Sequence, residues 1–253
     1  MTGKVAGLAR HPVKGFTPEP RQSVVLSAGQ HFPGDRLFAV EDGACGFDPD
    51  NPVQIKKTAF TVLARLPKVA EVRTHWNEDE GVLTASHRDF GEIITDMDGE
   101  AGRAMFATWL TAVLGDTARG PLKVLSGPGG FRFTDSRTGF VSIINLNSIR
   151  DLEAKTGWRI DLSRFRGNVM VDDWPAWSEF ELTGKDIVIG EARLSVIKPI
   201  TRCVATHVDP QTAKADLDVV KALFDHYGHV LFGIYARVEA GGQITVGDIA
   251  STQ

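Results

Sequence analysis

Only two of the 253 residues are cysteine, Cys45 and Cys203. A four-thiolate zinc site or a thiolate-only iron–sulfur cluster within one chain is thereby excluded. A disulfide between the two is not expected in a reducing compartment. No apolar run reaches the ~20 residues that a membrane-spanning helix requires, and the first ten residues do not read as a signal peptide. Positive charge is not in excess: 28 Lys and Arg stand against 32 Asp and Glu, a formal charge of -4. The chain as a whole therefore has no long-range attraction for nucleic acid or anionic lipid, although a local basic pocket is compatible with it. The seven histidines lack HExxH spacing, and neither GxxxxGK[ST] nor a strand-linked GxGxxG occurs, so the common phosphate and dinucleotide fingerprints are missing. With 42% hydrophobic residues there is material for one large domain or two modest ones. The expectation is a cytoplasmic protein with no nucleic-acid or membrane partner.

What is present is a succession of short β-type runs. Residues 5–8 and Ser23–Leu26 flank a loop punctuated by Pro12, Gly15, Pro18 and Pro20. Residues 35–42, 58–66, 69–76 and Val82–His87 continue the pattern, with 77–81 as a turn between antiparallel strands. So many short strands predict a barrel. Phe106, Leu110, Val113 and Leu114 share one face at helical spacing and predict a helix over Glu100–Leu114, stopped by Gly115, with Trp109 as core. The turn-rich stretches around Gly120-Pro121 and 126–130 mark the change of subdomain. Residues 141–144 read as a strand, with Asn145 at its end and Asn147 or Ser148 capping a short helix that turns Ile149 and Leu152 inward. Strands are expected at 186–190, 192–197, 233–238 and 244–246, and a helix at 215–223.

Chemistry concentrates in Pro199 to Pro210, where a thiol, a guanidinium, two hydroxyls, an imidazole and a carboxylate follow a strand. Arg202 beside Cys203 favours the thiolate, the form that binds soft metals or attacks carbon. Cys203 therefore reads either as a ligand or nucleophile, or as a small apolar packing group, the commonest fate of a free cysteine. Asp209 before Pro210 reads equally as a proton donor or as a turn carboxylate, and alternation sets His207 apart from the Cys203 side. Lys14 in its glycine loop and Arg36 at a strand start are, taken singly, ordinary solvated or surface-paired cations.

Taken in order, Pro12-Val13-Lys14-Gly15, Asp35-Arg36, Arg164-Phe165-Arg166-Gly167-Asn168, Thr201-Arg202-Cys203 with Asp209-Pro210, Leu231-Phe232-Gly233-Ile234-Tyr235 and Val246-Gly247-Asp248 resemble the MOSC family over nearly the whole chain. The resemblance implies a mainly β protein with some α (α+β): an N-terminal β-barrel-like domain over 1–119, then a MOSC β-barrel domain over 120–253. It is similar to the amidoxime-reducing and N-hydroxylated-base-reducing members, and more distantly to molybdenum cofactor sulfurases. It implies a molybdenum cofactor with Cys203 as metal ligand, and cofactor contacts at Lys14, Arg36, Asn145, Ser148, Arg166, Asn168, Thr201 and Arg202. Glycine stands at 15 and 167, where the reductases often carry serine and proline, which leaves backbone contacts there.

The chemistry of these residues agrees with the assignment, because a pterin phosphate needs cations and donors and a soft, high-valent metal suits thiolates. The expected activity is reduction of small N-hydroxylated compounds, with Cys203 and Asp209 as catalytic residues. Electrons come from a separate donor protein, since no cluster or nicotinamide motif is present. Two rival readings are a cofactor carrier or sulfur-transfer module and a cofactor-free thiol enzyme.

Overall fold

Along Ala192–Thr201 the buried side chains alternate, with Ala192, Leu194 and Val196 on one face, as a half-buried strand requires. The computed structural model describes residues 1–137 and 140–252. In chain order the strands are β1 Thr2–Arg10, β2 Glu19–Arg21, β3 Ser23–Leu26, β4 Phe38–Asp42, β5 Arg73–Asn77, β6 Val82–His87, β7 Gly91–Asp96, β8 Leu122–Ser126, β9 Val141–Asn145, β10 Val169–Asp172, β11 Asp186–Ile189, β12 Ala192–Thr201, β13 Leu231–Ala240, β14 Gly242–Thr245 and β15 Ile249–Thr252. The α-helices are α1 Glu100–Leu114, α2 Leu146–Thr156 and α3 Val219–Tyr227. The protein is mainly β, as expected.

A seven-stranded barrel follows the order β10-β9-β13-β12-β11-β15-β1 and closes where β1 pairs with β10; β2 is added to β1. Closure removes the free edges that an open sheet would expose. The barrel ladders are antiparallel except β9–β10, which is parallel and carries α2 as its crossover. The interior is filled by apolar chains such as Val5, Leu8, Ile143, Val171, Ile187, Leu194 and Ile234. Trp174, fully buried, donates from its indole nitrogen to the Ala250 carbonyl at 3.2 Å. Each such side chain contributes roughly 1.5–3 kcal/mol of burial.

Beside the barrel, the β4–β8 ladder and the β5–β6–β7 sheet pack with α1. Phe106, Leu110, Val113 and Leu114 of α1 meet Trp76, Leu83 and Met97, and Val208, just beyond Cys203, enters the same cluster. Trp109 is partly buried against it. The predicted helix, its Gly115 stop and the strands Ser23–Leu26 and Val82–His87 appear with the expected bounds.

Several expectations are corrected. Residues 58–66 do not form a strand. Lys57–Ala59 is a 3-10 turn, and the backbone amides of Val62, Arg65 and Leu66 then bond within the segment while its apolar residues sink into two clusters. The strand expected over 35–42 begins only at Phe38, because Arg36 is left-handed at φ 50°. The second helix is capped by the Asn145 side chain, not by Asn147 or Ser148, although Ile149 and Leu152 do turn inward. The helix expected over 215–223 is shifted to Val219–Tyr227, because Ala215 bridges to Val208 and the Asp218 carboxylate caps the helix at the Lys221 amide. The strand expected over 69–76 begins only at Arg73, after the 3-10 turn Pro67–Glu71, and the short strands β2, β7, β8 and β15 were not expected.

Truncating a barrel residue should cost what a filled core requires. Leu194→Ala is expected to lower unfolding stability by about 2–5 kcal/mol, read from the midpoint of urea denaturation with an unchanged slope.

Candidate functional site

A cavity of about 420 Å³ opens where the barrel meets the α1-containing half. Its wall carries four arginines (36, 164, 166, 202) and three lysines (14, 57, 198), against two aspartates, Asp35 and Asp135. The β12 end supplies Thr201, Arg202 and Cys203. The turn before β10 supplies Arg164, Arg166 and Asn168. Lys14 and Gly15 come from the loop after β1, and Arg36 from the turn before β4.

The cations are held by backbone carbonyls more than by carboxylates. Arg202 donates from Nε to Phe232 O and from Nη1 to Phe165 O, both at 2.8 Å, and its guanidinium lies 5.4 Å from the Phe165 ring centroid. Arg166 donates from Nη1 to Phe16 O at 2.8 Å. Lys14, 6% exposed, donates to Phe133 O at 2.8 Å and to the Asp135 carboxylate. Arg36 donates to Asp35 and, at 3.3 Å, to Arg166 O. Arg36 and Arg166 are both left-handed, at φ 50° and 51°. Non-glycine residues occupy that region at a cost of roughly 1–3 kcal/mol, and such strain is found at ligand clamps.

Donors remain unused. Nη2 of Arg166 and Nη2 of Arg202 are buried and have no hydrogen-bond partner among the described residues, and the same holds for Nε of Arg164. Burial, followed by the Arg36 charge, pushes Arg166 down to about 9, and burial pushes Arg202 down to about 10. Burial also pulls Lys14 below its usual range despite Asp135. Burial alone would raise Asp135, but Lys14 and then Lys57 and Arg36 hold it low. Buried, cationic and under-partnered, the site fits an anion with several acceptor oxygens.

Of the expected site residues, Lys14, Arg36, Arg166, Asn168, Thr201, Arg202 and Cys203 come together here. Asn168 accepts from the Ser142 amide and hydroxyl and donates to Ala9 O, so it stitches β9, β10 and β1 together. Asn145 and Ser148 lie outside the cavity, where both donate to Glu179 at 2.8–2.9 Å. Asp209 also lies outside: it accepts from the Gln211 and Thr212 amides and sits 3.6 Å from Arg164. Arg164 donates to Thr206 O, His207 O and Asp216, so it fastens the loop that follows Cys203.

Lys57, Asp135 and Tyr235 also line the cavity without having been singled out as site residues. Burial works against the charge on Lys57, but contact with Cys203 leads the interactions that raise it above its usual value. Tyr235 belongs to a quoted motif, whereas nothing local marks Lys57 or Asp135. Gly15 is left-handed at φ 93°, and a Cβ there would lie 2.6 Å from the Thr61 carbonyl oxygen. A Cβ at Gly167 would strike the Ile144 side chain. Glycine at both positions thus follows from close packing. Among the described residues no group of three His, Cys, Asp or Glu could hold a metal ion, and no helix is long and apolar enough to cross a membrane. A metal at Cys203 would have to bring other ligands with it.

A closed barrel bearing a cationic, thiol-containing cavity is the class that the geometry defines. The MOSC domain model matches residues 131–251 and the MOSC N-terminal beta barrel domain model residues 2–117. The chain belongs to the MOSC domain family. It is 32% identical over 120 residues to mitochondrial amidoxime reducing component 2 of Bos taurus, covering 43% of this chain and 35% of that protein. It is 28% identical over 118 residues to mitochondrial amidoxime-reducing component 1 of Homo sapiens, covering 42% and 34%. The matched stretch thus spans about a third of these curated relatives. Among solved structures it is similar to the YUAD protein of Bacillus subtilis (TM-score 0.47, 18% identity, 100% of this chain and 98% of that one). It is also similar to YiiM of Escherichia coli (TM-score 0.35, 15% identity, 46% and 54%).

Two outcomes follow from the electrostatics. Inorganic phosphate at about a hundred times its Kd should stabilise the protein by about 2.7 kcal/mol; a thermal scan should show the shift and its loss in Arg166→Gln. The second concerns His11, 1% exposed and held beside Asp35 and Arg36. Burial, then Arg36 and Arg166, lowers it from 6.5 to about 3. The unfolded chain therefore takes up a proton below about pH 6.5 that the native state refuses, so stability falls as pH drops toward 3. His11→Gln should remove about one proton, ~1.4 kcal/mol per pH unit, from that slope in urea titrations.

Proposed function

We propose that this chain binds a molybdenum cofactor in the cationic cavity and reduces small N-hydroxylated compounds with electrons from a separate protein. The observation that carries the reading is the pair of buried guanidinium nitrogens on Arg166 and Arg202, without a hydrogen-bond partner among the described residues, in the cavity that Cys203 also lines. A phosphate-bearing, sulfur-ligated metal group answers both features at once. The printed names of the amidoxime-reducing relatives supply the substrate class, by similarity over less than half of the chain.

In this reading Arg166, Arg202, Lys14 and Arg36 hold the pterin phosphate, Thr201 adds a hydroxyl, and the Cys203 thiolate is the protein's ligand to the metal. Asn168 keeps the cavity floor in register. Asn145 and Ser148 support the site from behind through Glu179, and Asp209 supports it through Arg164 and the loop after Cys203. When bound, the cofactor supplies the two-electron chemistry that removes the oxygen of an N-hydroxyl group as water. Lys57 and Tyr235 line the same cavity as polar groups available to the substrate. Electrons are assigned to a partner because two cysteines cannot build a four-thiolate cluster. We further propose that residues 1–119 and 120–253 are the two family domains; the family models end at 117 and begin at 131. A cytoplasmic location is part of the same proposal.

Protein made in a host that loads other molybdoenzymes should carry about one molybdenum and one pterin per chain. Reduced viologen should drive amidoxime reduction where nicotinamide cofactor alone does not. Lys14→Ala and Arg166→Ala should each lower pterin occupancy, since a contact to a charged group is worth about 1.5–3 kcal/mol. Zinc or no metal in the wild-type chain would overturn the reading.

A further inference from the structure

Of the seven cations on the cavity wall, Lys14 is paired with Asp135, Arg36 with Asp35 and Arg164 with Asp216. Arg166 and Arg202 are held by carbonyls and keep open donors, which the phosphate of the proposed cofactor would take up. Lys57 and Lys198 remain. Neither forms an ion pair among the described residues, and no carboxylate on the wall is left over for them, since Asp35 and Asp135 are already engaged.

The two lysines come from the two halves of the molecule. Lys57 begins the 3-10 turn Lys57–Ala59, which the Arg119 guanidinium fastens at Thr58 O and the Thr61 amide ties to Val40 O of β4. Lys198 lies on β12 of the barrel, opposite Tyr235 of β13, and is exposed. Unpaired like charges lining a confined space attract an anion and repel a cation. An ammonium is a compact charge on a flexible stem, so two of them suit a carboxylate whose position is not fixed by a rigid fork. The cavity, about 420 Å³, has the size of a small-molecule site.

We propose that the substrate is anionic: an N-hydroxylated compound that also carries a carboxylate or a comparable oxyanion, which Lys57 and Lys198 bind while the N-hydroxyl end reaches toward Cys203. The reaction assigned to this substrate rests on the cofactor reading above; the preference for negative charge rests on the wall. A cationic N-hydroxylated base meets repulsion at the same two lysines, so the selectivity works against one class as well as for the other.

Benzamidoxime, its 4-carboxylate and its 4-trimethylammonium derivative differ only in the charge at one end of the ring. Titration calorimetry on the full chain as isolated, without reductant so that nothing turns over, should give the carboxylate a Kd at least about tenfold below that of the neutral parent, with the cation weakest. The ratio should shrink as ionic strength rises from about 0.01 M to about 0.15 M, because the screening length falls from about 30 Å to about 8 Å. Lys57→Gln combined with Lys198→Gln should bring it to about one, and arginine at both positions should restore it. Equal affinities for the carboxylate and the neutral parent in the wild type overturn the proposal, as does a preference that survives the double glutamine variant. Loss of pterin from Lys57→Gln would give that lysine to the cofactor phosphate and overturn it as well. A wild-type chain that takes up no molybdenum or pterin would remove the cofactor reading, and the lysine-dependent charge preference is then scored from the same titrations.

Discussion

A guanidinium that is buried without an acceptor is costly, and the architecture around the cavity is organised by keeping several of them there. Charge in a low-dielectric setting must be paired or hydrogen-bonded. Arg166 and Arg202 meet that requirement only in part: carbonyls of Phe16, Phe232 and Phe165 take some of their donors, and among the described residues the Nη2 group of each stays open. Lys14 and Arg36 are the better satisfied cations, each with a carbonyl and a carboxylate. The imbalance is local, since the chain as a whole is net negative.

Holding like charges together takes backbone features that a repetitive strand would not provide. Left-handed residues at Gly15, Arg36 and Arg166 each turn the chain at the cavity wall, and Gly233, also left-handed, lies against the Arg202 guanidinium. At Gly15 and Gly233 a side chain would collide with a neighbouring carbonyl. The barrel supplies the rigidity that keeps these turns in place: Asn168 ties β10 to β9 and β1, and Arg164 ties the loop after Cys203 to the turn before β10. Val208 from that same loop is buried in the core of the α1-containing half, so both halves of the molecule fix the position of the thiol.

Much of this was legible in the chain. Regular elements with strong periodicity, such as α1, β3 and β6, declared their bounds, because amphipathic spacing and a glycine stop are local signals. Residues 58–66 misled because apolar residues at mixed spacing are compatible with a strand or with a looped segment whose side chains sink into two clusters. The start of α3 was hidden by the tertiary bridge of Ala215 to Val208, which competes with helix formation. In the site, Arg166, Arg202, Lys14 and Cys203 stand in motifs that the family resemblance joins. Asn145 and Ser148 stand in none of those motifs and enter only through the resemblance; their partner Glu179 is some thirty residues away in sequence and nothing local announces a buried carboxylate. Lys57 reaches Cys203 only through the fold.

The account stands or falls on the pairing of the open guanidinium groups with a sulfur-ligated metal at Cys203. Molybdenum-edge X-ray absorption on the loaded protein counts the sulfur atoms bound to the metal and so addresses that pairing directly. The account expects Cys203→Ser to lose one sulfur from the coordination sphere while Cys45→Ser keeps the wild-type number. An unchanged sulfur count in Cys203→Ser would contradict it.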